Sequence, residues 1–149
     1  MRQALELAAA SSAGSAAASD VPVGALVLGP DGAVAGRGRN QCLATNDPTA
    51  HAEIVAIRQA AETIGSWRLD DCTLVVTLEP CTMCAGAVRN ARIRRLVYGA
   101  ADPRAGAAGS LWDVVHDRRL GPPVEVIGGV LAEACAALIT GFFERRRAD

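Results

Sequence analysis

The sequence predicts an α/β fold: a three-layer α/β/α sandwich around a mixed five-stranded sheet. Three observations carry that expectation. Two opening strands are joined by Pro-Asp-Gly turn chemistry, and the later strands alternate with helical patterns. The stretch "CTLVVTL" is apolar on both faces, as a central strand covered from both sides should be. At 149 residues the chain is expected to form one domain, 1–149, large enough for a proper core.

The elements follow in order. Arg2 to about Ala10 reads as a first helix, and the Ala/Ser/Gly stretch behind it as flexible. Its alanines suggest a signal peptide at first sight, but Glu6 interrupts them and no compact run of Leu, Ile or Val follows. Val23 to Leu28 and Ala33 to Arg37 form an antiparallel hairpin across the turn at Gly29 to Gly32. "NQCLATNDP" is a loop, and Asp47-Pro48 carries the signature of a helix start. That helix has Ile54, Ile57 and Ala61 on one face, runs to about Thr63 and ends at Gly65. Cys72 to Leu78 is the central strand. Glu79-Pro80 breaks it, and a helix from Cys81 to Asn90 leads to the strand "RRLVYGA". A long loop follows, with a helical turn expected around Leu111 to Val115. "VEVIGGV" is the last strand and "LAEACAALITGFFERRR" the closing helix.

Half the residues are hydrophobic, a fifth are charged and the net charge is −1. No apolar run approaches the ~20 residues of a membrane span, so a cytoplasmic protein without a membrane partner is expected. All fifteen basic residues are arginine, a planar fork suited to phosphates and carboxylates. The overall charge argues against a broad DNA-coating surface. The local clusters at Arg92, Arg94 and Arg95, at Arg118 and Arg119, and in "ERRR" read first as solvated helix ends and loops.

Five cysteines are an odd number, and a reducing compartment keeps them free. Cys42, Cys72 and Cys135 stand singly in apolar surroundings, as small buried residues do. Cys81 and Cys84 differ: on a helix, i and i+3 are neighbours about 5–6 Å apart at Cβ, and two sulfurs each about 2.3 Å from a zinc ion fit that spacing. A helix N-terminus favours thiolate over thiol. His51 and Glu53 open the other crossover helix. A separation of two is roughly 200° around a helix, so the pair cannot share a side face. Side chains tilt toward the helix N-terminus, however, so both reach a point beyond its end, where ligands settle in open α/β sheets. Taken alone, the Cys pair could be a redox couple and His51 a capping histidine. Together they make a three-ligand set of His51, Cys81 and Cys84. A closed structural site needs four ligands, and the buried cost of Glu53 would gain such a site nothing. A catalytic site with Glu53 as its acid–base is favoured, with Cys42 left as a candidate fourth ligand.

His51-Ala-Glu53 with Pro80-Cys81-Thr-Met-Cys84 resembles the signature of the zinc-dependent nucleoside and nucleobase deaminases. "DVPVGALVL", "NDPTAHAEIVAIRQA", "TLEPCTMCAGAV", "GAAGSLWDVV" and "CAALITGFF" narrow the resemblance to the bacterial tRNA-specific adenosine deaminases, over residues 20 to about 145. The resemblance implies a cytidine deaminase-like fold and one zinc per chain. It implies hydrolysis of adenosine to inosine at the wobble position of a tRNA anticodon loop, that of arginine tRNA, by a homodimer; DNA is not the implied natural substrate. It also implies Asn40 at the base or sugar, Asp102 near the nucleotide backbone, and Phe142 or Phe143, of which Phe143 is preferred, in the pocket wall. Helix packing is the plain alternative for either Phe. Three departures fall in parts expected to meet tRNA. These are "SSAGSAAAS" after the first helix, "RRLGPPVE" where the family carries Asn-His, and Ala101 where it carries arginine. Two other readings stand beside this one: a guanine or cytosine deaminase with the same zinc chemistry, and a zinc-stabilised binding module without turnover.

Overall fold

The structure is a computed structural model that describes residues 1–11 and 19–148. The expected flexible stretch after the first helix falls largely outside them. Helix α1 (Arg2–Ser11) precedes the hairpin of β1 (Gly24–Leu28) and β2 (Val34–Arg39). A short helix α2 (Cys42–Thr45) leads to α3 (Ala52–Ile64), β3 (Thr73–Leu78), α4 (Thr82–Asn90), β4 (Arg95–Ala100), β5 (Glu125–Ile127) and α5 (Ala132–Ala148). The sheet order is β2-β1-β3-β4-β5. β1 is antiparallel to β2 and β3, whereas β3, β4 and β5 run parallel. This is the mixed five-stranded sheet expected, with β3 in the middle. Among the described residues no helix is long and apolar enough to cross a membrane.

Strand alternation sorts the core into two layers. Ala25 and Val27 of β1, Leu74 and Val76 of β3 and Leu96 of β4 pack with Ala52, Ala56, Ala85 and Val88 of α3 and α4. Their neighbours Leu26 and Val75, with the half-buried Val97, face Ala4 and Leu7 of α1. Helix α5 lies on β3 and β4 and touches α1.

Small residues let these layers approach. A Cβ at Gly24 would stand 2.0 Å from the Ala4 carbonyl oxygen, and one at Gly38 2.1 Å from that of Ala52. A Cβ at Gly36 would meet the Ala56 carbonyl oxygen at 2.2 Å. Helix α3 is therefore seated on β2 backbone to backbone, with Ala52, Ala56 and Ala60 on the seam and wholly buried.

Three local expectations need correction. The Asp47-Pro48 signature does not open α3. The Asp47 carboxylate instead accepts bonds from Thr49 N (2.8 Å) and Oγ1 (2.7 Å), an Asx turn that spends the cap before the helix begins. His51 takes the N-cap position and Gly65, at φ 74°, ends the helix as expected. The loop before it contains α2, because Asp20 accepts bonds from Leu43 N (2.7 Å) and Ala44 N (3.2 Å). The helical turn expected at Leu111 to Val115 is absent: Ala108 pairs with Asp113 in an isolated bridge, and a 3-10 turn forms only at Arg118–Leu120, under the Asp117 carboxylate.

The α3 seam yields a direct prediction. Gly38→Ala should destabilise the fold by roughly 1–3 kcal/mol or more, since the added methyl meets backbone that cannot step aside. Urea unfolding measures it, and a variant as stable as the wild type would show that α3 is not pressed onto β2.

Candidate active site

Both crossover helices begin at one end of the parallel strands, and each begins with a residue that does not behave as a cap. His51 (φ −67°, ψ 153°) and Cys81 (φ −70°, ψ 176°) are the N-caps of α3 and α4, and neither side chain makes a capping hydrogen bond. They turn outward instead. His51 Nδ1 lies 3.6 Å from Cys81 Sγ and 3.5 Å from Cys84 Sγ. The three donor atoms all fall within 4.8 Å of one another. A zinc ion about 2.3 Å from sulfur and about 2.0–2.1 Å from nitrogen, with tetrahedral angles, sets such atoms roughly 3.5 Å apart. The donor set therefore fits zinc in both chemistry and spacing. Cys42 is not part of this group, and Cys72 and Cys135 are buried, as expected of small core residues.

The cap positions also answer the His51–Glu53 puzzle. His51 is not on the helix proper, so a separation of two does not place the residues on opposite sides. Glu53, in the first turn and only 4% exposed, points into the same interior. Burial pushes its carboxyl up to about 7, against the favourable charge of His51. Hydrogen bonding to Cys84, then to His51, pulls the Cys81 thiol down to about 4. The Cys84 thiol is driven up, first by its bond to Cys81 and then by burial. His51 is raised chiefly by its bond to Cys81.

The other expected residues divide. Asp102 and Phe143 line one open cleft of about 830 Å³ between the 100–105 loop and α5, together with Arg104, Arg146 and Arg147. Phe142 is wholly buried, packs edge-on against Phe143 at 5.3 Å and belongs to the core. Asn40 is not among the residues lining the cleft. It sits before α2, its Oδ1 accepting from Cys42 N (3.3 Å), and Gln41 N donates to Ala50 O (2.9 Å) just ahead of His51. Sequence reasoning missed Asp20, which holds α2, and Arg104 of the cleft, whereas Arg146 and Arg147 belong to the "ERRR" cluster it had singled out. It also missed Glu79, read only as a strand breaker but 2% exposed and fully bonded. A carboxylate ending an apolar strand was the available signal.

The comparisons bear on this arrangement. Residues 1–100 match the cytidine and deoxycytidylate deaminase zinc-binding region. The chain belongs to that deaminase family. Over all 149 residues it is 46% identical to a tRNA-specific adenosine deaminase of Haemophilus influenzae, covering 84% of that protein. A solved structure from work on A-to-I editing by tRNA:A34 deaminases at the wobble position superposes with a TM-score of 0.81, at 40% identity, over 93% of this chain and 99% of that one. A guanine deaminase from Nitrosomonas europaea superposes with a TM-score of 0.78, at 27% identity, over 95% of this chain and 81% of that one. The expected deaminase fold and zinc-binding family are thereby borne out.

The thiol asymmetry has a measurable consequence. A thiol with a depressed pKa is thiolate, and reactive, at any pH above that value. In metal-stripped deaminase at about pH 6, iodoacetamide should modify Cys81 well before Cys42, Cys72, Cys84 or Cys135, all of whose thiols are raised. Peptide mass spectrometry reads the order; preferential labelling of Cys84 would reverse the assignment.

Proposed function

We propose that the chain is a single zinc-dependent deaminase domain, 1–149, that hydrolyses adenosine to inosine at the wobble position of a tRNA anticodon loop. In this reading it is a cytoplasmic homodimer that holds one zinc per chain and takes an arginine tRNA as substrate. The observation that carries the chemistry is the His51, Cys81 and Cys84 donor set with the buried Glu53 carboxyl beside it. The RNA substrate is supported by similarity along the whole chain and by the guanidinium-lined cleft. Leu111 and Trp112, 52% and 58% exposed in one segment, are the kind of apolar surface a second subunit covers.

His51, Cys81 and Cys84 would hold the metal and leave one position open. Zinc bound there acts as a Lewis acid that lowers the pKa of a water. Glu53 would take the proton from the attacking water as the water oxygen bonds to C6 of adenine, and would pass it to the ring nitrogen N1. Glu53 then takes the proton of the new C6 hydroxyl and delivers it to N6, so that the C6–N6 bond breaks, ammonia leaves and the C6 carbonyl of inosine forms. Its burial beside the donor set keeps this carboxyl out of bulk water, so that a proton it takes is handed on to the substrate. We place Asn40 at the base or sugar, Asp102 near the nucleotide backbone and Phe143 in the cleft wall.

The likeness to a guanine deaminase supports a second reading, deamination of a free base. A free purine has no phosphate for Arg104, Arg146 and Arg147, which is why RNA is preferred. Inosine formation on an anticodon stem-loop, measured beside ammonia release from guanine, cytosine and cytidine, separates the two. Turnover of guanine without turnover of the stem-loop would replace the first reading with the second.

Two predictions follow from the chemistry and the cleft. Glu53→Ala should keep zinc near one per chain yet lose at least the ~10²–10⁴-fold typical of a general acid–base, whereas Cys81→Ala should lose most of the metal. Zinc content and inosine formation in the same preparations check both, and an active, zinc-loaded Glu53→Ala would remove Glu53 from the mechanism. Stem-loop binding should also weaken steeply with salt as Arg–phosphate contacts release counterions; a flat dependence measured by fluorescence anisotropy would sink the phosphate role.

A further inference from the structure

Glu79 stands between the two halves of the site. It follows the last residue of β3 and lies two positions before Cys81, and its backbone N donates to Ala100 O at the end of β4 (2.8 Å). Its carboxylate is buried, yet no cation neutralises it. One oxygen, Oε1, accepts from Ala108 N and Ser110 N, both at 3.0 Å. The other, Oε2, accepts from Asp102 N (2.9 Å) and from the Ser110 hydroxyl. Next to it, Pro80 O accepts from Ala107 N (2.7 Å). All of these donors lie in the stretch from Asp102 to Ser110, which forms no helix or strand. Apart from the Ala108–Asp113 bridge and a few local backbone bonds, such a loop has no ladder, and its remaining amides must find partners elsewhere. Here one carboxylate supplies four bonds at once. The fit leaves no slack: a Cβ at Gly106 would stand 2.4 Å from the Glu79 carboxyl.

The outer side of the same loop lines the cleft, with Asp102, Pro103, Arg104 and Ala105. We propose that Glu79 is a positioning residue for the nucleic-acid substrate, fixing the cleft loop at a set distance from the metal ligand Cys81. The inference rests on the RNA reading of the cleft. An ionised carboxylate suits the position because both of its oxygens accept; an amide of the same shape would turn an N–H toward donors. Glu79→Gln is therefore an isosteric test that breaks about half of the bonds without opening a cavity.

The experiment measures zinc content, stem-loop kinetics and amide hydrogen exchange on the full-length protein. In Glu79→Gln we expect zinc at the wild-type level and KM for the stem-loop raised about ten-fold or more with kcat within roughly three-fold, the signature of lost uniform binding. Exchange at Asp102, Ala108 and Ser110 should quicken by about ten-fold or more while β3 stays protected. Ser110→Ala, which removes one hydroxyl donor, should move the same readings the same way by less, and it serves if Glu79→Gln does not fold. An unchanged KM, or loss of zinc as the main effect, would overturn the proposal. A wild type that does not turn over the stem-loop refutes the RNA reading instead. The exchange measurement still decides whether Glu79 holds the loop.

Discussion

Two helix N-caps that do not cap govern the arrangement of this deaminase. A Ser, Thr, Asp or Asn at such a position contributes about 0.5–2 kcal/mol by bonding to the first turn, and α3 and α4 both forgo it. His51 and Cys81 face a common point instead. The helix starts must then be fixed by packing alone. For α3 this is the seam of Ala52, Ala56 and Ala60 against Gly36 and Gly38, where backbones touch without intervening side chains. For α4 it is Ala85 and Val88, wholly buried under the sheet. A larger residue on the α3 seam would lift the helix and carry His51 away from the sulfurs. The 3.5 Å and 3.6 Å separations in the site are thus set by methyl-sized decisions elsewhere in the fold.

The same geometry shapes the electrostatics. Two helix N-termini point their partial positive charge into one small volume, which favours negative groups there. It receives two thiols and a carboxyl, more negative charge than the dipoles alone can hold. Of these groups only Cys81 is eased toward thiolate, while Cys84 is pushed toward its neutral form by its bond to Cys81 and by burial, and Glu53 chiefly by burial. That imbalance is what a divalent ion relieves, since metal ligands must be deprotonated and binding releases protons.

How much of this was legible depends on how local each signal is. The sheet, its central strand and the helices came from periodicity, and His51, Glu53, Cys81 and Cys84 from spacings within single segments. The start of α3 was misplaced because Asp47-Pro48 is a generic cap signature, and only the nearby Thr49 shows that its carboxylate is already engaged. The turn at Leu111 to Val115 failed for a related reason: the segment bridges back to Ala108 through Asp113 rather than closing a helical turn. Phe142 and Phe143 are adjacent on α5, and periodicity alone did not decide which faces the cleft. Glu79 shows in the sequence only as a carboxylate ending an apolar strand; its partners lie 23 to 31 residues away and are mostly backbone amides, which leave no mark on a sequence.

Glu53 and Glu79 show how one fold gives two carboxyls opposite tasks. Both are nearly inaccessible, at 4% and 2% exposed, and burial alone would raise both. For Glu53 burial outweighs its backbone and Cys84 hydrogen bonds and the charge of His51, so its carboxyl rises to about 7. For Glu79 burial also raises the carboxyl, but bonds from Ser110, Asp102 and Ala108 outweigh it and hold the group below its usual range. It stays ionised and acts as a fixed acceptor that ties the 102–110 loop to the end of β3. What separates a proton carrier from a structural strut is therefore the number of donors pointed at each carboxyl. For Glu79 that number is set by the path of the 102–110 loop.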